Sequence, residues 1–217
     1  FGVRKRRLLQ NNSLDYFESA TRFAGQLAQK SKELSSNDTL IAGSLPTHAD
    51  TYQPHFFNTE KEVYDGFYKT AKILNPFINL FYLDVISSVK EIRIACEAIK
   101  DFNKPVLIGA HFRKNANLPS NETTADIIKE IKNYNCCGII TACVSPDIVK
   151  LVLPELKKQN LPYGFKVNAF EDIPEDFVIS SKSSQQPTDV LGSMKNFTPS
   201  VFRNFVKSSA EQGATLF

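Results

Sequence analysis

Long apolar runs are missing from this chain. The longest candidate, residues 76–88, is interrupted by Asn79 and Asp84 and stays below the ~18 residues needed to span a bilayer. The opening residues carry charge rather than the apolar core of a secretory leader, so a cytoplasmic protein is expected, without membrane contact. Cysteine is scarce as well. Cys96, Cys136, Cys137 and Cys143 lack the even spacing of a disulfide framework, and the adjacent pair is badly placed to bridge itself. A reducing compartment is the consistent reading. An excess of one charge is also lacking: 26 basic against 23 acidic residues leave +3, too little to indicate a nucleic-acid partner. The one dense basic run, Arg4-Lys5-Arg6-Arg7, leads into a helical pattern and reads as a solvated or capping face. No Gly-x-Gly-x-x-Gly follows any predicted strand, so a dinucleotide fold lacks its fingerprint.

What is present is an alternation of short apolar strands and amphipathic helices over 217 residues, enough chain to bury a substantial core. Residues 14–34 carry Leu14, Phe17, Ala20, Phe23, Ala24, Leu27 and Ala28 at helical spacing, with Asn12 or Ser13 as the expected N-cap. A strand over 39–45 closes at Pro46, and a loop over 47–58 holds His48, Asp50, Tyr52 and His55. Thr59 and Glu62 form a capping box for a helix to about Leu74. A strand over 79–84 ends on Asp84, and a helix then runs from Ser87-Ser88 to about Asp101. A strand over 105–112 ends near His111, and a helix covers 123–134. The strand Gly138-Ile139-Ile140-Thr141-Ala142-Cys143 carries one cysteine to its carboxyl end, with Cys136 and Cys137 placed before it. A helix over 147–159, a strand over 163–168 ending on Asn168, a loop over 171–195 and a helix from Thr198 to about Gln212 complete the series.

From Thr39 onward the order is a repeated β–α alternation at roughly 30-residue spacing with polar residues at strand ends, which predicts a parallel sheet. That spacing favours an α/β, (β/α)8 TIM barrel, and barrels keep their chemistry at the carboxyl ends of the strands. Both ends read as cut. Phe1-Gly2-Val3 looks like the tail of a strand, and the chain stops at Phe217 inside another. The expectation is one partial barrel domain over 1–217, lacking its first strands and the end of its last.

The chain resembles the homocysteine S-methyltransferases, zinc-dependent barrels that include the betaine–homocysteine methyltransferases. The residues that carry the likeness are Phe1-Gly2-Val3-Arg4-Lys5-Arg6-Arg7-Leu8, Gly43-Ser44-Leu45-Pro46 with Tyr52, and Leu83-Asp84-Val85-Ile86-Ser87-Ser88. Ala142-Cys143-Val144-Ser145-Pro146 and Thr198-Pro199 with Gly213-Ala214 complete the set. The order covers nearly the whole chain, although no single motif is specific. The resemblance implies that Cys143 is the first of three zinc-binding thiolates, the other two belonging to a Gly-Gly-Cys-Cys segment expected after Phe217. It implies a substrate site using Asp84, Val85 and Ser44; Asn168, which ends a strand on the active face, is a further candidate. Asp84 stands where the family usually has Glu, Val85 where it has Thr, and Ala142 where it has Asn.

That chemistry suits these residue types. A free thiol with a pKa near ~8.5 is mostly protonated at neutral pH. A zinc ion held by cysteine deprotonates a bound thiol, which then attacks a methyl carbon on an onium donor such as S-methylmethionine, S-adenosylmethionine or a betaine. The implied partners are therefore small molecules, homocysteine and a methyl donor, and the product is methionine. Asp84 would hold the substrate ammonium, and Tyr52 or Tyr82 would face the cationic donor. Plainer readings stand beside each role. Cys143 could be core packing, Asp84 a helix cap and His111 a structural histidine. Cys96, Cys136 and Cys137 read as structural. A non-catalytic barrel remnant that binds an amino acid or a protein partner is the alternative function. An aldolase or phosphate-binding isomerase would need a strand-end lysine or a glycine-rich loop. Lys166 lies inside a strand, and no glycine follows Asn168 until Gly192.

Overall fold

A computed structural model describes residues 4–35, 38–56, 58–177 and 190–217. The strand tail expected at Phe1-Gly2-Val3 lies outside the described residues, as does much of the loop expected over 171–195. Five strands, β1 (Ala42–Pro46), β2 (Leu80–Ile86), β3 (Val106–Ala110), β4 (Cys136–Val144) and β5 (Tyr163–Val167), form one parallel sheet in the order β1-β2-β3-β4-β5. Every strand pairs with its sequence neighbour and no strand order reverses. That is barrel winding, not the switch-point winding of an open doubly wound sheet. The last residues extend the order. Leu216 bridges Gly164 in parallel, and the Phe165 amide donates to the Leu216 carbonyl at 2.9 Å.

Helices α1 (Lys5–Gln10), α2 (Phe17–Leu34), α3 (Glu60–Leu74), α4 (Val89–Ile99), α5 (Thr124–Ile131), α6 (Pro146–Lys157) and α7 (Pro199–Glu211) occupy the connections. Their starts follow local chemistry. Thr59 with Glu62 and Thr123 with Asp126 make reciprocal capping boxes, while Ser88 and Thr198 accept from the third helical amide. Outward strand residues Phe81, Leu83, Ile108 and Ile139 pack under Phe67, Ile92, Ile127 and Val152 to make the core between sheet and helices. Inward residues alternate with them, and these build the mouth.

Two expectations need correction. Neither Asn12 nor Ser13 caps α2. Residues 14–16 form a 3-10 turn first, and Ser13 makes no capping bond. Along α2 Thr21 and Gly25 are buried and Phe17, Ala20, Ala24 and Ala28 half-buried, whereas Phe23 and Leu27 are 59% and 48% exposed. Gly25 is buried because the Phe77 ring lies where a Cβ would stand, 2.5 Å away. Finally, Cys136 and Cys137 open β4 instead of preceding it.

Candidate active site at the barrel mouth

The sulfur of Cys143 reaches the mouth through an irregularity in the backbone. Ile139 and Thr141 are fully buried and alternate with Ile140 and Ala142, so strict alternation would send Cys143 toward the helices. Instead Cys143 adopts φ +58°, the pairing register with β5 shifts between Ala142 and Val144, and Val144 takes the helix-facing position. Strand β2 has the same device. Val85 has φ +60°, the register with β3 shifts between Leu83 and Ile86, and Ile86 returns to the core. A left-handed conformation costs a non-glycine residue roughly 1–2 kcal/mol, and more for a β-branched side chain, so two bulges placed together mark a site where geometry outweighs comfort. Each bulge brings two consecutive residues to the mouth. Val85, Ala142 and Tyr52 form a small apolar cluster with Cys143, Ile173 and Phe177 packed against it.

Tyr52 is the third left-handed residue of this group, with φ +72°. Its Oη lies 3.0 Å from Cys143 Sγ, and its ring centroid lies 4.5 Å from that of His111 and 6.2 Å from that of Phe177. Burial, with the nearby Cys143 second, pushes the Tyr52 hydroxyl well above its ordinary range, so it stays a proton donor. Asn168, just past β5, donates to the Cys143 carbonyl at 2.7 Å and places the same Nδ2 3.6 Å from Sγ. One side chain thus pins the bulged peptide and borders the sulfur.

The loop bearing Tyr52 is fastened at several points. Glu91, fully buried at the start of α4, accepts from the Thr47 hydroxyl at 2.9 Å and from the His48 amide at 2.6 Å. Burial raises the Glu91 pKa, and these donors oppose the rise. Arg4 donates to Thr47 O, Ala49 O and Thr51 Oγ1 at 2.8–3.0 Å. Arg4 is thus a loop clamp and departs from the solvated or capping face expected of the basic run, while Lys5 stays exposed. On the far side Gln53 donates to the carbonyls of Glu175 and Phe177 at 2.7 and 3.0 Å, and Arg113 meets the Glu175 carboxylate at 3.2 Å.

Asp84 does not cap α4, because Ser88 does so. Its carboxylate faces inward, where Oδ1 accepts from Tyr82 Oη at 2.8 Å and pairs with Lys166 Nζ. Lys166 Nζ also lies 5.4 Å from the Tyr82 ring centroid, so that ring already carries a cation. Ser44, on β1 opposite Tyr82, has a buried Oγ without a hydrogen-bond partner. His111 is 4% exposed, sits beside the Ala142 carbonyl at 3.2 Å, and is pushed down to about 4 by burial. It is a neutral brace between β3 and β4. His48 lies outside the mouth, edge-on to Phe67 at 4.4 Å.

All five predicted site residues therefore lie on inward or carboxyl-end positions, with Cys143, Val85 and Asn168 brought together and Asp84 placed with Tyr82. Sequence reasoning missed Glu91, Gln53 and Phe177, and it set Lys166 aside. The alternation of inward and outward residues on β5 was the one signal that could have found Lys166. As to a metal, no cluster of three or more His, Cys, Asp or Glu side chains exists among the described residues. Cys143 is the one thiol at the mouth, and Cys136 and Cys137 open the opposite end of β4. The described donors do not fit a three-thiolate zinc site.

A parallel barrel arc with an inward thiol, a carboxylate and aromatic walls at its carboxyl mouth defines the α/β-barrel class. The chain belongs to the homocysteine S-methyltransferase family, whose model matches residues 1–216. Among solved structures it is similar to the homocysteine methyltransferase MmuM from Escherichia coli in three forms. The metallated form has a TM-score of 0.65 at 15% identity, covering 70% of this chain and 58% of that one. The oxidized form gives 0.66 at 16% identity, covering 77% and 62%. The apo form gives 0.60 at 17% identity, covering 70% and 60%. The alignments thus span about 60% of the length of those chains, and at such identity they speak for the fold. No curated protein matches the chain.

Proposed function

We propose that residues 1–217 form one homocysteine-binding unit of an enzyme that transfers a methyl group from an onium donor to the homocysteine thiol, giving methionine, and that these residues alone have little or no activity. The observation that carries this reading is the backbone bulge that turns Cys143 Sγ into the mouth, against Tyr52 and Asn168. In the reaction the homocysteine thiol loses its proton to solvent, and the resulting thiolate sulfur bonds to the methyl carbon. The donor's carbon–onium bond breaks, its electron pair staying on the donor sulfur or nitrogen. Asp84 holds the substrate ammonium. Tyr52, kept protonated, donates toward sulfur. Val85, Phe177 and the Tyr52 ring exclude water and offer apolar and aromatic surface to a cationic donor. Zinc belongs to the proposal as the cofactor for which Cys143 supplies one thiolate; further thiolates would be needed beside it.

The single thiol at the mouth favours a second reading, a barrel that binds an amino acid or a protein partner without turnover. The two separate on one variant. Cys143→Ser in the longest expressible form of the protein should abolish methionine formation from homocysteine and S-methylmethionine while leaving the circular dichroism spectrum unchanged. Methyl transfer at the wild-type rate in that variant would refute the assignment. An unmodified protein that binds homocysteine but forms no methionine would support the second reading.

A further inference from the structure

Lys166 is a charged side chain at the mouth that has no part in the proposal above. It projects inward from β5 and pairs with Asp84 on β2, across the two intervening strands. Both of its contacts sit at one side of the site, since Tyr82 donates to the same carboxylate oxygen and turns its ring toward Nζ. The pair is asymmetric in exposure: the Asp84 side chain is 14% exposed and that of Lys166 is 42% exposed. A lysine stem of this length lets the ammonium swing while the carboxylate stays anchored by Tyr82. Gly109 secures that anchor, because a Cβ there would lie 2.6 Å from Tyr82 Oη.

We propose that Lys166 binds the α-carboxylate of the amino-acid substrate, the Asp84–Lys166 pair opening to take the zwitterion between its two charges. This rests on the reading of the mouth as a homocysteine site. The exchange conserves charge. One ion pair is replaced by two, ammonium on Asp84 and carboxylate on Lys166, so the ligand enters a half-buried site without leaving an uncompensated ion. It also makes Lys166 a specificity residue, since a thiol that lacks either charge would leave one partner of the opened pair unmatched.

The test is titration calorimetry under reducing conditions with L-homocysteine, with 3-aminopropanethiol, which lacks the carboxylate, and with L-homoserine, which lacks the sulfur. Lys166→Met should weaken homocysteine binding at least tenfold and leave 3-aminopropanethiol unchanged or tighter, because Asp84 is freed. Lys166→Arg should restore most of the homocysteine affinity. Equal losses for both thiols, or none for homocysteine, would overturn the proposal, as would a protein that binds no α-amino acid. Circular dichroism melting of each variant identifies a change that only unfolds the barrel, and Lys166→Arg then decides. If homoserine binds as well as homocysteine and depends equally on Lys166, the carboxylate assignment stands and the sulfur-directed function fails.

Discussion

Replacing Gly164 by alanine tests the sixth strand position directly. A Cβ at Gly164 would lie 1.7 Å from the Leu216 carbonyl oxygen, 2.5 Å from its carbon and 2.9 Å from its Cα. All three are backbone atoms, so no side-chain rotation relieves the clash and residues 214–217 must leave β5. What is lost can be summed. Phe165 N–H to Leu216 O, Thr215 N–H to Tyr163 O and Leu216 N–H to Tyr163 O, at 2.9–3.2 Å, contribute about 1 kcal/mol each. The edge-on Phe165–Phe217 contact, with centroids 5.2 Å apart, adds about 0.5–1.5 kcal/mol. Alanine recovers roughly 0.5–1 kcal/mol of backbone entropy in a strand. The net expected loss is roughly 3 kcal/mol, read by urea denaturation, with fast hydrogen exchange appearing at the Phe165 amide. Gly43→Ala is the control, because its Cβ meets Ile78 Cδ1 at 2.6 Å, the far end of a flexible side chain. It should leave Phe165 protected. A Gly164→Ala protein within ~1 kcal/mol of the original, with Phe165 still slow to exchange, would show that the pairing is not there.

The acid side of the stability curve should be governed partly by His48, which burial, helped by Arg4 and Lys5, lowers from 6.5 to about 4. A depressed folded pKa stabilises fully above the unfolded value and is lost as pH falls from about 6.5 toward 4, by roughly 3 kcal/mol. Urea midpoints across that window should therefore be flatter in His48→Leu, and parallel curves would contradict this. Asn168→Ala removes the donor to the Cys143 carbonyl and should cost about 1–1.5 kcal/mol by thermal melting, with a larger proportional loss of methyl transfer than of stability. An Asn168→Ala protein with full activity would remove Asn168 from the site.

The alternation of strands and helices was legible because each element carries its own local signals. Thr59 with Glu62 shows the kind: a cap and its partner three residues on, followed by an amphipathic stripe. Nearest-neighbour pairing then followed from the regular spacing. The mouth was legible only as a set of strand ends. Nothing local marks Val85 or Cys143 as left-handed, since valine disfavours that conformation and cysteine does not seek it. The bulges arise from the register between strands and are invisible to a one-dimensional pattern. The Lys166 partner lies 82 residues upstream, and the Arg4 targets lie 43 to 47 residues downstream. On α2 the helical period is genuine, but it does not say which positions the neighbouring layer covers, and Phe23 and Leu27 stay exposed.

The two kinked strand ends carry a lesson for protein engineering. Grafting Asp84, Val85, Ala142 and Cys143 onto an idealised, evenly pleated cylinder would misdirect half of them. The valine and the sulfur would be sent into the outer layer, away from any guest molecule. A working transplant must carry the extra residue in each strand along with the side chains.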